Sequence, residues 1–498
     1  MPPARSPLAV SPGDAEDPLV LSLDVGTSSV RAALFDRLGR PLRGMESREK
    51  NEIRVTPGGG AEADADVLLE RVFACIDGLL NFAGKVKSRI AAVAACTFVN
   101  NILGIDGNGA AVAPLTTYAD TRSEGEIAGL VSEFDETRVH DRTGCRFHPS
   151  YLPARLRWMA KANPGLFRKT ERWVSLGEYL ELKLFGETSV SCSVASWTGL
   201  LDRFRVDWDE EMLGAIPLRS GQLSPLTDVD RPRRGLKFGF ERRWPELANV
   251  PWFPAVGDGA AANIGSGCFS SGQVAVTMGT TSALRVVLDT PAAHLPAGLW
   301  CYLVDRRRSL LGGALSEGGS VYAWMTSVLN GSPEMESAAA AMEPDAHGLT
   351  VLPFLAGERA PGWAGHARGA IAGISLATGP QHILRAGMEA VAYRLALVFR
   401  LLSPMIPAQA QVIASGGALL NSPLWIRIVT DVLGRPVALS AVEEATARGA
   451  ALLALEALGE IKLEDVPFTG KMHAPDMSSH ARYLRAIERQ EELYRKIV

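Results

Sequence analysis

The pattern of apolar and polar positions predicts two β-hairpins in distant parts of the chain. Residues 18–36 and 273–288 each contain two mainly apolar segments of strand length, joined by glycine and hydroxyl residues. The turns are Gly26-Thr27-Ser28 in the first hairpin and Gly279-Thr280-Thr281 in the second. Each hairpin also carries an arginine in its second strand. Because the same arrangement occurs twice, the sequence predicts two related halves.

Segments with helical spacing of apolar residues lie between further buried strands. In residues 61–82 and 380–402 the apolar side chains recur every three or four positions, which predicts amphipathic helices. Other helices are expected at 119–135, 152–162, 174–184, 423–433 and 447–457. Other strands are expected at 90–95, 102–105, 411–415 and 437–439. This alternation of strands, glycine turns and helices indicates an α/β fold.

Length and composition favour two globular domains. A chain of 498 residues is too long for one hydrophobic core, and its 47% hydrophobic and 21% charged residues are ordinary for a globular protein. The proline-rich, irregular stretch 203–254 suggests a boundary that gives domains at 18–255 and 256–498. Residues 1–17 are rich in Pro, Ala and Ser, and we expect them to form a disordered tail.

Charge and cysteine usage exclude several classes of protein. The net charge of −4 gives no reason to expect a nucleic-acid partner. The sequence contains no uninterrupted apolar run of about 18 residues, so we expect no membrane span. The six cysteines are scattered without a CxxC pair, which is typical of reduced thiols, and residues 1–17 lack the apolar core of a signal peptide. These features predict a cytoplasmic location.

The two glycine-hydroxyl turns suit the binding of phosphate groups. Glycine permits close approach of the backbone to a ligand, and the hydroxyl and N–H groups can donate to phosphate oxygens. Asp24 stands at the end of a strand beside the first turn, where its carboxylate could hold Mg²⁺ through water or simply cap the turn. The second hairpin has Thr277 at the matching position, so one half alone supplies this carboxylate.

Asp258 lies between two glycines where a helix of small residues begins. The helix N-terminus favours its ionised form, which could accept a proton from a hydroxyl group that attacks a γ-phosphate. The alternative is an ordinary helix cap. Gly416-Gly417 follows a buried strand and could support a flat group, or could form a turn with positive φ. The chain has no GxxxxGK[ST] motif, which excludes a P-loop protein.

Polar residues of the first half suit a polyhydroxylated ligand. Asn100, Asp120 and Arg122 belong to segments that could line the inner face of the first domain. The alternatives are turn formation for the asparagine and a surface ion pair between Asp120 and Arg122. His148 and Tyr151 share a proline-containing loop and could contact a ligand or pack in the interior.

Taken together, five segments resemble the motifs of the FGGY family of carbohydrate kinases, part of the superfamily that includes actin and the heat-shock chaperone ATPases. The resemblance keeps the order of the family's motifs and extends from about residue 19 to residue 457. The segments are Asp24-Val-Gly-Thr27, Gly257-Asp258-Gly259-Ala-Ala261, Met278-Gly-Thr-Thr281, Leu352-Pro-Phe-Leu-Ala-Gly-Glu-Arg-Ala-Pro361, and Ser415-Gly-Gly-Ala418 with Asn421 and Trp425.

The resemblance implies two RNase-H-like domains around a cleft in which ATP and a sugar meet. It implies that Asp258 is the catalytic base and that Asp24 lies near Mg²⁺. The residues implied for nucleotide binding are Gly26, Thr27, Ser28, Gly279, Thr280, Thr281, Gly416, Gly417 and Asn421. Those implied for the substrate are Asn100, Asp120, Arg122, His148, Tyr151 and Asp258. Relatives of this kind often form dimers, so a homodimer is compatible with the resemblance.

Several stretches look similar to gluconokinase-type members of the family, among them Tyr118-Ala-Asp120-Thr-Arg122 and Leu299-Trp-Cys-Tyr302. The favoured reaction is therefore phosphorylation of a terminal hydroxyl of gluconate. A ketopentose or a polyol is the alternative substrate, because Asn100 replaces the histidine usual in xylulokinases and gluconokinases. A catalytically silent binding protein is a further alternative. For an acidic substrate, the candidate cations are Arg122, Arg155 and His148.

Overall fold

The computed structural model describes residues 8–219, 221–466 and 470–498. In the first half, the strands are β1 (Leu19–Val25), β2 (Ser29–Phe35), β3 (Pro41–Lys50), β4 (Arg54–Val55), β5 (Ala61–Ala63), β6 (Ile90–Thr97), β7 (Leu103–Ile105), β8 (Leu115–Thr116), β9 (Arg172–Val174), β10 (Val190–Ser191), β11 (Leu201–Asp202), β12 (Asp207–Trp208), β13 (Leu226–Thr227) and β14 (Val256–Gly257). The helices are α1 (Ala65–Ala83), α2 (Ile127–Glu133), α3 (Glu136–Thr143), α4 (Leu152–Ala162), α5 (Pro164–Lys169), α6 (Leu176–Phe185), α7 (Cys192–Ser196), α8 (Glu210–Gly214), α9 (Phe238–Arg243) and α10 (Asp258–Gly265).

The second half contains fewer and longer elements. Its strands are β15 (Gln273–Met278), β16 (Ser282–Leu288), β17 (Trp300–Leu303), β18 (Ser309–Leu315), β19 (Thr350–Leu352), β20 (Ala370–Ala372), β21 (Gln411–Ser415), β22 (Val437–Ser440) and β23 (Gly470–His473). Its helices are α11 (Gly319–Val328), α12 (Pro333–Ala341), α13 (Pro380–Leu402), α14 (Gly417–Leu420), α15 (Pro423–Leu433), α16 (Ala445–Ala457) and α17 (Met477–Ile497). None of the helices described here is long and apolar enough to cross a bilayer.

The same sheet topology occurs in both halves. The first large sheet has the order β3-β2-β1-β6-β14, and the second contains β18-β16-β15-β21-β22 with β17 and β23 added at its edges. In the first sheet, β1, β2 and β3 form an antiparallel series, and β6 and β14 run parallel to β1. In the second, β15, β16 and β18 form the antiparallel series, and β21 and β22 run parallel to β15. This is the RNase-H-like arrangement, and it confirms the prediction of two related α/β domains.

Strand alternation determines which side chains face the other half. The odd-numbered residues of β1 from Leu19 to Val25 enter the core of the first domain, while the Ser22 hydroxyl donates to Ala447 O of α16 at 2.7 Å. Because successive side chains point to opposite faces, Asp24 lies on the same face as Ser22. Both predicted hairpins form. In β1 the odd-numbered side chains point into the core of the first domain, and the even-numbered ones point to the opposite face.

Three predictions differ from the structure. The described part of the expected tail, residues 8–17, packs on the first domain: Val10 bridges to Leu42, and Arg89 donates to the carbonyl oxygens of Pro12 and Ala15. Residues 1–7 lie outside the described residues. The helix expected at 119–135 begins only at Ile127, because the buried carboxylate of Asp120 holds the preceding segment in turns. The last strand of the first sheet, β14, lies just beyond the expected boundary at 255.

Two helices form the joint between the halves. Helices α10 and α16 pack against each other, and α16, which belongs to the second half, covers β1 and β6 of the first sheet. The contact is so close that a Cβ atom built on Gly265 would lie 1.8 Å from Ala445 O, and one on Gly449 would lie 1.8 Å from Ala261 O. Arg448 secures the joint by donating to Gly265 O at 2.6 Å and to Gly39 O at 2.8 Å.

We expect Gly265→Ala to destabilise the protein, because the added methyl group would collide with the backbone of α16. The expected loss is about 1–3 kcal/mol, as for other overpacked interiors, measured as a lower melting temperature. Gly214→Ala is the matched control, since a Cβ atom there meets nothing within 4 Å and the residue lies in α8. Equal melting temperatures for both variants would contradict the close joint.

Candidate active site

The two predicted turns are held by backbone hydrogen bonds. In the first, the Gly26 N–H donates to Ser29 O at 2.9 Å, and the side-chain Nδ2 of Asn51 donates to Gly26 O at 2.6 Å. In the second, the Gly279 N–H donates to Thr281 O at 2.9 Å. The start of α11 secures this turn, since Gly319 N–H donates to Gly279 O at 2.7 Å and Ser320 N–H donates to Thr280 O at 3.1 Å. The turn hydroxyls remain available to a ligand.

Asp24 and Asp258 lie near each other at the carboxyl ends of the parallel strands of the first sheet. Asp24 and Val256 both pair with Cys96 of β6, which runs parallel to β1 and β14, and Asp258 follows β14 directly. The carboxyl ends of these parallel strands therefore bring the two carboxylates together. Asp258 also begins α10, and its Oδ1 accepts the Gly259 N–H at 2.7 Å.

Burial keeps both carboxylates poorly stabilised as anions. Burial raises the pKa of Asp24, and the charge of Arg31 opposes this rise only in part. Burial also raises the pKa of Asp258 to about 6, against the lowering effects of the Gly259 N–H and the Arg285 guanidinium, while the charge of Asp24 adds to the rise. Paired carboxyl groups of this kind fit a divalent cation at one and proton transfer at the other.

A cavity of about 900 Å³ opens beside the second turn. Its lining includes the predicted residues Gly279, Thr280, Gly417 and Asn421 and the motif residue Trp425, together with residues that the sequence analysis did not select: Tyr322, Ala323, Glu336, Leu384 and Met388. Gly416 has φ of 97°, and a Cβ atom there would lie 2.4 Å from Met278 O, so glycine is required. The turn thus delivers Gly417 and the following helix to the cavity wall.

Four polar residues of the first domain, which we call the polar wall, have hydrogen-bond or ion-pair partners within that domain: Asn100, Asp120, Arg122 and Arg155. Arg122 pairs with Asp120 at 2.5 Å and with Glu62 at 2.7 Å. Arg155 is buried and donates to the carbonyl oxygens of Asn100, Pro149 and Ser150. The Asn100 carbonyl is thereby fixed, whereas its buried side-chain Oδ1 accepts no hydrogen bond from the described residues. Among these residues, Asn100 therefore has a side-chain oxygen that is free to accept a hydrogen bond from a ligand.

His148 and Tyr151 occupy different environments. Burial and the nearby cations Arg359 and Arg155 lower the pKa of His148 to about 3, so its ring is neutral. Because the Ser150 N–H donates to Nδ1 at 3.2 Å, the ring proton resides on Nε2. Tyr151 is buried, and its hydroxyl hydrogen-bonds to that of Tyr302 in the second half at 2.6 Å. Tyr151 therefore joins the two domains.

An aromatic stack that the sequence analysis missed stands beside Asp258. Trp197 stacks on Tyr302 with ring centroids 3.7 Å apart, and Trp300 stacks on Tyr302 at 4.4 Å. A Cβ atom on Gly259 would lie 2.7 Å from the Trp197 ring, which shows how closely the stack approaches the start of α10. No local sequence pattern links Trp197 with Tyr302, because they come from different halves.

The fold and sequence have clear counterparts among known proteins. The chain is 27% identical to the gluconokinase of Bacillus subtilis over 89% of this chain and 88% of that protein. Its structure matches a ligand-bound xylulose kinase of Lactobacillus acidophilus with a TM-score of 0.90, at 23% identity over 96% of this chain and 98% of the other. A gluconate kinase of the same organism also gives 0.90, at 22% identity and the same coverage.

Residues 19–265 match the N-terminal domain of the FGGY family of carbohydrate kinases, and residues 274–458 match its C-terminal domain. These two matches span the first sheet, the joint helix α10 and nearly all of the second sheet. They agree with the motif order found in the sequence and with the two RNase-H-like sheets. The protein is a carbohydrate kinase of the FGGY family.

Proposed function

We propose that the protein transfers the γ-phosphoryl group of ATP to a terminal hydroxyl of an open-chain sugar acid, with gluconate as the favoured substrate. The carrying observation is the half-buried Asp258 carboxyl, which lies near a second carboxylate and a phosphate-type turn and forms no ion pair with the described residues. The likeness to a gluconokinase supports the choice of sugar acid.

In this proposal, ATP occupies the cavity beside the second turn. The adenosine lies against Gly416, Gly417 and Asn421, and the phosphates meet the turns Gly26-Thr27-Ser28 and Gly279-Thr280-Thr281. Asp24 would hold Mg²⁺ there, and the metal would supply positive charge that neutralises the phosphates. Fixed N–H and hydroxyl donors stabilise charge that develops on the transferred group.

Asp258 acts as the general base. Its carboxylate accepts the proton of the attacking hydroxyl, and a pKa of about 6 leaves most of it ionised at neutral pH while keeping it a better base than an exposed aspartate. The Trp197 ring beside it excludes water from this side. Closure of the domains around the substrate would limit wasteful ATP hydrolysis.

The polar wall of the first domain binds the sugar hydroxyls. Asn100 offers its free Oδ1, His148 offers its Nε2–H, and the Asp120–Arg122 pair supports the wall. Tyr151 contributes through its contact with Tyr302. These neutral groups suit a chain of hydroxyls more than an aromatic or phosphorylated ligand.

The proposal also covers the cellular location of the protein and its oligomeric state. All six cysteines are free thiols, which agrees with a reducing compartment, and ATP is consumed, so we infer a cytoplasmic location. A homodimer stays a prediction that the oligomeric state in solution would test.

The substrate is tested by ADP release with Mg-ATP against gluconate, other sugar acids, xylulose, ribulose and glycerol. We expect gluconate or a closely related sugar acid to give the highest kcat/KM, because the polar residues of the first domain suit a chain of hydroxyls and the chain is similar to a gluconokinase. Highest activity on a ketopentose or on glycerol would transfer the assignment to that substrate class. Retention of ATP binding without turnover on any of them would favour a silent binding protein.

We expect Asp258→Asn to lower kcat by about 10²–10⁴-fold while leaving ATP binding intact, because the amide cannot accept the proton. For the native enzyme, kcat/KM should fall as the pH drops below about 6, since protonation removes the base. Asp476→Asn, which changes a cap at the start of α17, is the matched control. A loss below tenfold, or one equal to the control, would assign Asp258 a capping role.

We expect Ala323→Trp to raise the KM for ATP on the order of tenfold or more, because the indole would fill the cavity where the nucleotide binds. The KM for the sugar should stay unchanged. Ser327→Trp, one turn further along α11 and outside the cavity lining, is the matched control. Steady-state kinetics with both substrates varied would show the difference, and an unaltered KM for ATP would place the nucleotide elsewhere.

A further inference from the structure

Arg285 is a half-buried cation that forms no ion pair with the described residues. It lies in the middle of β16, between Ala283 and Val287, whose side chains belong to the apolar cluster between the two halves. Its Nε is buried and donates to no described residue. Its Nη1 reaches Thr277 Oγ1 at 3.5 Å, a long contact with a neutral group. A buried guanidinium nitrogen without a hydrogen-bond partner is costly unless a ligand accepts its proton.

The first hairpin provides the internal comparison. Arg31 also follows its turn in the second strand of a hairpin, two residues nearer to the turn in register than Arg285, and it forms an ion pair with Glu444. The buried arginines Arg385 and Arg394 likewise pair with Glu389 and Glu358. Arg285 forms no ion pair with the residues that the structure describes, so its free hydrogen-bonding capacity is specific to this position.

Arg285 lies next to the reactive carboxyl. A Cβ atom built on Gly259, the residue after Asp258, would lie 3.7 Å from Arg285 Nε. Burial lowers the pKa of Arg285, and the negative charge of Asp258 opposes this effect. The guanidinium therefore lies beside the residue that follows the base, on the side of the second half.

Arg359 supplies a second cation on the same side. The next residue, Ala360, donates its N–H to Ala314 O at 3.0 Å, and Ala314 pairs with Ala283, two residues before Arg285. The side chain of Arg359 has no hydrogen bond or ion pair within the described part of the chain. Its charge lowers the pKa values of Arg285 and His148, which indicates that it lies near both.

The neighbouring acids do not neutralise this pair of cations. Glu358 is engaged by Arg394 and by the Tyr494 hydroxyl. Burial raises the pKa of Glu317 to about 8, so this carboxyl is mostly protonated at neutral pH. Among the described residues, Asp258 is thus the one ionised carboxylate that we find near these two guanidinium groups.

We propose that Arg285 and Arg359 bind the carboxylate of the sugar-acid substrate, at the end opposite the hydroxyl that is phosphorylated. This assignment rests on the proposed sugar-acid kinase activity. A guanidinium presents parallel N–H donors that match the two oxygens of a carboxylate, and an anion between two such groups removes their mutual repulsion.

The other cations considered for this role already have partners. Arg122 is paired with Asp120 and Glu62, Arg155 is used by three backbone carbonyls, and His148 is neutral. The transferred phosphoryl group is the other anion that Arg285 could meet. Arg285 stands three residues along β16 from Ser282, about 10 Å from the turn at 3.3 Å per residue, which favours the carboxylate.

The proposal makes the acid a bridge between the domains. Both arginines belong to the second half, whereas the wall that faces the hydroxyls belongs to the first. A sugar acid would contact both halves at once, and a neutral polyol would lack the contact to the second. The carboxylate thereby promotes the closed arrangement as well as affinity.

The test compares gluconate with glucitol, which has the same carbon chain and a hydroxymethyl group in place of the carboxylate. In Arg285→Gln and in Arg359→Gln, we expect the KM for gluconate to rise about 10- to 100-fold, the effect of losing a hydrogen bond to a charged group. The KM of glucitol, or its inhibition constant against gluconate, should change less than threefold, on the order of the scatter expected for a remote substitution. Arg285→Lys should lie between the native enzyme and Arg285→Gln.

Controls separate a binding role from a structural one. Arg157→Gln removes a half-buried arginine of α4 that pairs with Glu126 and Glu133, and it should leave both substrates unaffected. Melting temperature and ATP affinity verify that each variant is folded. Titration calorimetry with gluconate and Mg-ADP reports binding without turnover.

Two outcomes would overturn the proposal, and they differ in what else they remove. Equal losses for gluconate and glucitol in Arg285→Gln would assign the arginine to Asp258 or to the phosphoryl group, while native activity on gluconate would leave the proposed function intact. A native enzyme that neither binds nor phosphorylates any sugar acid would remove the proposed function together with this subsite.

Discussion

The close contact between α10 and α16 is the constraint on which the site depends. Helix α10 begins with Asp258 at the end of the first sheet and leads into the second domain, while α16 comes from the second half and covers the first sheet. Gly265 and Gly449 let their backbones touch, and Arg448 binds across the gap. The joint fixes the Asp258 carboxyl at the end of the first sheet while it holds the two halves together.

Electrostatics in the cleft follow from this geometry. Two carboxyl groups, Asp24 and Asp258, meet at the edge of one sheet, and two guanidinium groups, Arg285 and Arg359, approach from the other half. Few of these charges are compensated within the protein, unlike the arginines elsewhere in its interior. Because a ligand that binds the folded state stabilises it, we expect an anion bound at these arginines to raise the stability of the protein.

Much of the fold was accessible from local pattern. The helices at 152–162, 380–402 and 423–433 have the predicted bounds, because long apolar stripes and proline at the helix start fix them without help from distant residues. The prediction of an α-helix over 119–126 was wrong, because the buried hydrogen bond between the Ala61 N–H and Asp120 outweighs the helical pattern of this segment. Residues 8–17 pack through Val10, although their composition resembles that of a flexible tail.

The sequence by itself determined the family, the two hairpins and the candidate base, because turns, strand ends and motif order are properties of neighbouring residues. Only the tertiary structure decided which charges are already satisfied. It paired Arg122 with Asp120, neutralised His148 through burial, and left Arg285 beside Asp258 without an ion pair among the described residues. Such outcomes depend on burial and on partners from distant parts of the chain, and local sequence carries neither.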